Sequence, residues 1–296
     1  MRVKRRTWVI AYSLILLAFT GYLAVDTFAI SRVYTVVDTK EQDTSDTSNS
    51  DSIVSTDTEY KDENITITLT EHREYDTSIY VADVQVSLPE YLKTALAQSA
   101  YGRNVTQKTS EMAEENHAIL AINGDYYGAQ EKGYVIRNGV IYRDTASAGQ
   151  EDLVLYQDGS LEVIQEDEIT AQELLDQGAQ QVLSFGPALL ENGTISVSQN
   201  EEVGKAKASN PRTAIGVIDD LHYVFVVSDG RTSESTGLSL YQLADFMKGL
   251  GVTTAYNLDG GGSSTMYFNG KIINNPTTNG KTIQERSVSD IVYISD

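Results

Sequence analysis

Cysteine is absent from the 296 residues. That excludes disulfides, thiol catalysis and cysteine-ligated metal centres. Basic residues are scarce, 22 against 42 acidic ones, for a formal net charge of −20. A surface of that sign repels nucleic acid, and no basic patch offsets it beyond the first few residues. There are 3 histidines, and His72, His117 and His222 stand in ordinary strand or charged contexts with no ligand spacing. Proline is rare at 4 residues, which leaves long stretches free to form regular structure. Internal repeats are also missing. Hydrophobic residues make up 41%, so most of the chain can build a core.

The one long uncharged run is WVIAYSLILLAFTGYLAV, Trp8 to Val25, preceded by Arg2, Lys4, Arg5 and Arg6. A run of about 18–20 apolar residues spans a bilayer as a helix, and the positive flank stays on the cytoplasmic side. A cleaved signal peptide is the competing reading, but its apolar core is normally about 7–15 residues. The expectation is a retained single-pass anchor over residues 1–30, with the rest of the chain outside the cell. Residues 31–63 read as a polar extracellular linker, rich in Ser, Thr and Asp. Without cysteine, and with an outward-facing domain, a Gram-positive-like bacterial surface is the expected setting.

Residues 64–296 carry the domain. ITITL and YVADVQVSL alternate as strands do. Asn138-Gly139 and Asp158-Gly159 mark two hairpins, and Asp219-Asp220 the turn of a longer one. Short helices are expected over Pro89–Gln98, with Pro in its first turn, over Thr106–Glu115, and over AQELLDQG. LSLYQLADFMKGLG opens with a capping box, Ser239 and Gln242, and presents one apolar stripe. Many strands, few helices and no strict βαβ alternation predict an α+β fold: mixed, largely antiparallel sheets with a few packed helices, preceded by one transmembrane helix.

The stretch NLDGGGSST, Asn257 to Thr265, is the chemical focus. Three consecutive glycines imply a backbone path that side chains would block. Gly260, Gly261 and Gly262 could turn N–H groups toward an anion, with Ser263 and Ser264 adding donors. No lysine follows, so this is not a P-loop. A tight ligand-free turn is the alternative. Other polar strand ends add to it: Asn123 and Asp125 in NGDYY, Arg212 in NPRTAIG, and Asp229 and Arg231 in SDGR. Carboxylates serve acid/base work and guanidinium groups hold an oxyanion or phosphate. Tyr126 and Tyr127 offer ring faces for a sugar.

These motifs resemble the phosphodiester glycosidase family. The resemblance is carried by NGDYY (Asn123 to Tyr127), FGPALL (Phe185 to Leu190), NPRTAIG (Asn210 to Gly216), SDGR (Ser228 to Arg231), STGLSLYQLADFMKGLG (Ser235 to Gly251), AYNLDGGGSSTM (Ala255 to Met266) and ERSVSD (Glu285 to Asp290). It departs at Tyr241-Gln242, where the family more often has an acidic residue. The resemblance implies hydrolysis of sugar-1-phosphate diesters of the N-acetylglucosamine type at the glycosidic C1–O bond. Asp259, Asp125 and Asp229 become the expected catalytic acids. Arg212, Arg231, Asn123 and the loop Gly260–Ser264 become the expected substrate and phosphate contacts. The acidic strand ends leave room for a divalent cation, Asp290 included, but no spacing demands one. Expected substrates are phosphodiester-linked glycans such as teichoic acids or capsular polysaccharide. The alternative is a non-catalytic glycan-binding domain serving envelope assembly.

Overall fold

The computed structural model describes residues 2–37, 53–200 and 209–296. A helix, Arg2–Phe28, opens it. Its segment Trp8–Phe28 has a mean hydropathy of 2.0 and its apolar window is not buried, so it is long and apolar enough to cross a membrane.

Three antiparallel sheets build the body. The largest has nine strands among the described residues, in the order Thr194–Ile195, Ala188–Glu191, Thr254–Asn257, Arg212–Asp219, His222–Ser228, Thr77–Val86, Ile65–Glu74, Glu59–Lys61 and Val54–Ser55. The helix Leu240–Gly249 packs on one of its faces through Leu240, Leu243, Ala244, Phe246 and Met247. Its capping box forms as the sequence predicts: Ser239 Oγ accepts from Gln242 N, and the Gln242 side chain accepts from Ser239 N. The opposite face buries Ile67, Val84, Ile215, Phe225 and Tyr256 against a second sheet. That sheet runs Lys271–Ile272, Met266–Phe268, Leu120–Asn123, Asp290–Ile294, Leu92–Leu96. A third runs Val140–Arg143, Val135–Arg137, Ala179–Leu183, Glu151–Tyr156, Leu161–Gln165. The α+β class with largely antiparallel sheets is therefore the observed one.

Two local expectations are corrected. Pro89–Gln98 is not a helix. A single 3-10 turn, Pro89–Tyr91, leads into the strand Leu92–Leu96, which pairs with Asp290–Ile294. Leu92, Thr94 and Leu96 are buried and the residues between are not, so the period is two, and pairing with a neighbouring strand overrides local helix preference. Parts of the expected linker, residues 31–63, also form paired strands. The strand Arg32–Val36 pairs with Ala100–Arg103, and Val54–Ser55 and Glu59–Lys61 extend the nine-stranded sheet. The remainder of that stretch, 38–52, lies outside the described residues.

One buried ion cluster locks the second and third sheets together. Arg137 Nη2 contacts Asp125 Oδ2 at 2.9 Å and Asp290 Oδ2 at 2.5 Å, and all three side chains are essentially inaccessible. Arg137 Nη1 also donates to the carbonyl of Val182, and Ser184 N donates to Asp125 Oδ2 at 3.0 Å. Two carboxylates around one guanidinium leave an excess of negative charge. Burial, then the Asp125 charge, raise the pKa of Asp290, against the pull of Arg137. Removing one partner of a buried ion cluster strands the others. Arg137→Met is expected to destabilise the fold by about 3–5 kcal/mol in urea unfolding. A loss under about 1 kcal/mol would show that the cluster is not a structural clamp.

Candidate active site

The glycine loop begins where the strand Thr254–Asn257 leaves the large sheet. Asn123, at the end of a strand in the second sheet, reaches across to hold it. Its Nδ2 donates to Asp259 O at 2.6 Å, and its Oδ1 accepts from Thr213 Oγ1 and Thr265 N at 2.8 and 3.2 Å. The backbone closes the same joint, with Asp259 N donating to Gly124 O at 3.2 Å. The loop turns through a short 3-10 segment, Gly261–Ser263. Crowding explains the glycines. A Cβ at Gly262 would sit 2.3 Å from Thr278 Oγ1, and one at Gly261, where φ is +64°, would sit 2.7 Å from Arg231 Nη2.

The expected anion cradle of loop N–H groups is corrected in part. Gly261 N donates to Pro211 O at 2.8 Å and Ser263 N to Gly260 O at 3.3 Å, so these two close on the chain itself. The loop's contribution lies in its side chains. Ser263 Oγ donates to Asp259 Oδ2 at 2.6 Å. Arg286 approaches the same pair, with Nη2 to Asp259 Oδ2 at 3.1 Å and Nε to Ser263 Oγ at 2.9 Å. Asp259 is nearly buried and Arg286 is exposed. Burial raises the pKa of Asp259, while Arg286 and Ser263 act against that rise.

This triad lines a cleft of about 120 Å³, whose walls include Tyr126, Asn104, Gly128 and Ser289. Arg231 stands behind the glycine loop. Its Nη1 donates to Thr278 O at 2.7 Å and its Nη2 to Asn210 Oδ1 at 3.0 Å, both neutral acceptors. Its pKa is lowered by burial and then by the charge of Arg286. Arg231 also holds a left-handed backbone, φ +64°, which a non-glycine residue adopts at a cost and which recurs at functional sites.

The expected site residues therefore separate. Asp259 and Ser263 reach the cleft, and Arg231 stands beside it. The others sit behind the wall. Asp125 belongs to the Arg137 cluster and caps Tyr127 N at 2.9 Å. Asp229 is buried, accepting from Asn275 N and Asn275 Nδ2 at 2.8 and 2.9 Å, so it braces the segment after the glycine loop. Arg212 is buried, with Nε donating to Leu238 O at 2.9 Å. Ser264 is fully buried. Of the two tyrosines, Tyr126 is exposed on the cleft and Tyr127 is buried. Asp290 faces Arg137. Among the described residues no group of three or more His, Asp or Glu is arranged to hold a metal ion. Arg286 is the residue that sequence reasoning passed over. Its signal was the basic residue inside ERSVSD, but its partner Asp259 lies 27 residues earlier, too far for spacing to reveal.

Residues 116–295 match the family model described as phosphodiester glycosidase. The chain belongs to the phosphodiester glycosidase family. It is 31% identical over 202 residues to the SPbeta prophage-derived uncharacterized protein YomE of Bacillus subtilis, covering 67% of this chain and 31% of that one. It is 32% identical over 109 residues to the mouse N-acetylglucosamine-1-phosphodiester alpha-N-acetylglucosaminidase, covering 33% of this chain and 21% of the enzyme. The chain thus spans between about a fifth and a third of the length of these curated relatives. The zebrafish enzyme's catalytic domain, solved in a form auto-inhibited by its pro-peptide, shares the fold at a TM-score of 0.62 and 24% identity, over 78% of this chain and 83% of that one. A hypothetical protein from Synechocystis shares it at 0.56 and 14%.

The electrostatics of the cleft give a direct expectation. Carbon-13 NMR titration should place the pKa of Asp259 above the ordinary aspartate value. Arg286→Met should raise it further, because the guanidinium is what pulls it down. An unchanged value in the variant would mean that the two side chains do not meet in solution.

Proposed function

We propose that the chain is a membrane-tethered hydrolase, facing out of the cell, that cleaves the glycosidic bond of sugar-1-phosphate diesters on surface glycans such as teichoic acid or capsular polysaccharide. The observation that carries this reading is the cleft in which a buried acid, Asp259, meets an exposed guanidinium, Arg286, with Arg231 close behind. Family membership and the names of the mammalian relatives support the bond chosen.

The chemistry follows from the leaving group. Water adds to C1 of the sugar, and the C1–O bond breaks with its electron pair going to the phosphate oxygen. The products are a free sugar and a phosphate monoester. That monoester departs readily, so neutralising its growing charge matters more than protonating it. Arg286 reaches the cleft for this role and Arg231 adds positive field from behind the loop. On a chain of net charge −20, this local pair is what admits an anionic substrate. Asp259, partly balanced by Arg286 and Ser263, is placed to activate water or to face an oxocarbenium-like sugar. Tyr126 supplies a ring face on the cleft wall. Asp125, Asp229, Asn123 and Arg212 act as supports that hold these groups in place.

Activity of the full chain on N-acetylglucosamine-1-phosphate diesters tests the reading, with free sugar followed by NMR. Arg286→Met and Asp259→Asn are each expected to lower kcat/KM by about 10²–10³-fold. Wild-type chain that binds these diesters without releasing sugar would establish the glycan-binding reading instead.

A further inference from the structure

The N-terminal helix ends against the cleft. Asn104 Nδ2 donates to Thr27 O and Ile30 O at 3.0 and 3.1 Å, and Ser31 Oγ donates to Asn104 O at 2.8 Å. Asn104 is itself a wall residue of the cleft, beside Gly128, and its N–H donates to Gly128 O at 3.1 Å. One residue therefore touches both the last turn of the apolar helix and the site that holds Asp259 and Arg286.

The joint has no slack. The helix finishes at Phe28, and the strand that pairs with Ala100–Arg103 starts at Arg32. A Cβ at Gly102 would lie 2.1 Å from the Arg32 carbonyl oxygen, so the glycine is what lets the strand lie flush. Val37 N donates to Ser99 O at 2.8 Å, and Val37 packs on the cluster of Leu96, Tyr101, Tyr127 and Val135. Helix and docked strand are thus joined directly through residues 29–31. Exposed apolar side chains also continue off the helix onto the strand, at Ile30, Val33, Tyr34 and Val36. Such residues, tyrosine above all, sit well in the interfacial layer.

A bilayer crossed by Trp8–Phe28 would place its headgroup layer, about 5–7 Å deep on each side, at the level of Asn104. We propose that the cleft works at the membrane face and takes a membrane-borne substrate: a sugar-1-phosphate diester whose second ester is to a lipid in the same leaflet. This rests on the glycosidase reading above and on retention of the helix. Hydrolysis frees the sugar into solution and leaves the phosphate monoester on the lipid. Of the surface phosphoglycans named above, this reading selects those carried on a membrane lipid, because the domain is held close to the helix end.

The full chain reconstituted in vesicles tests this. Two probes are compared: N-acetylglucosamine-1-phosphate esterified to a diacylglycerol, and its water-soluble methyl diester. The lipid probe placed in the same vesicles as the enzyme should be cleaved at least about tenfold faster than the same probe in separate vesicles, because tethering raises its effective concentration. A rigid helical insertion of about 20 residues between Ile30 and Ser31 would lift the domain by about 30 Å. It should cut the same-vesicle rate about tenfold and leave the methyl diester rate unchanged. Equal rates in same and separate vesicles overturn the membrane-face inference while the glycosidase reading stands. Equal loss on both probes in the insertion variant signals damage to the fold, and the wild-type vesicle comparison then decides alone. Cleavage of neither probe by wild type sinks both readings.

Discussion

The site depends on one buried guanidinium. Arg137 reaches from the third sheet to Asp290 in the second and to Asp125, just past the second sheet's strand Leu120–Asn123. Each carboxylate is the chain neighbour of a cleft residue, Asp125 of Tyr126 and Asp290 of Ser289. The ion cluster thus fixes two walls of the cleft from behind. Burying three charged groups is costly, and a buried ion cluster is weak evidence for stability in itself. Its use here is positional: it determines how two sheets meet under a site that neither sheet forms alone. Asn123 performs the same office on the other side, joining the glycine loop to the strand that begins at Arg212 through a carboxamide with bonds at both ends.

Over that rigid base the rim is electrostatically unsettled. Arg231 and Arg286 are close enough for each to feel the other, and only Arg286 has a carboxylate beside it. Arg231 is anchored by neutral oxygens and by an unusual backbone. An anion entering the cleft relieves the repulsion between the two guanidinium groups, which is a physical reason for such a pair to exist on a strongly acidic chain. Asp259 balances part of the charge and stays nearly buried, and that burial raises its pKa.

Local features were legible in the sequence where local physics decides them. The turn at Asn138-Gly139 adopts the left-handed backbone that its residues favour, φ +52° and +69°, and the capping box at Ser239 forms with both its bonds. The triple glycine is explained by crowding, as its cost implies. Roles that depend on distant partners were not legible. Asp125, Asp229 and Arg212 have the residue types of a catalytic set, but the fold turns them inward, toward Arg137, Asn275 and Leu238. Arg286 stands in a motif far from Asp259 in the chain, and only the tertiary fold carries it there. Leu92–Leu96 became a strand because Asp290–Ile294 lies beside it, a neighbour nearly the whole domain away in the chain.

The central claim is that the cleft breaks the bond between sugar carbon and phosphate oxygen, with the phosphate as leaving group. Hydrolysis in water enriched in oxygen-18, followed by mass spectrometry of both products, tests it most directly. Attack at C1 puts the heavy oxygen in the released sugar and none in the phosphate monoester. Heavy oxygen in the phosphate would mean attack at phosphorus, and would contradict the roles given to Asp259 and the two arginines.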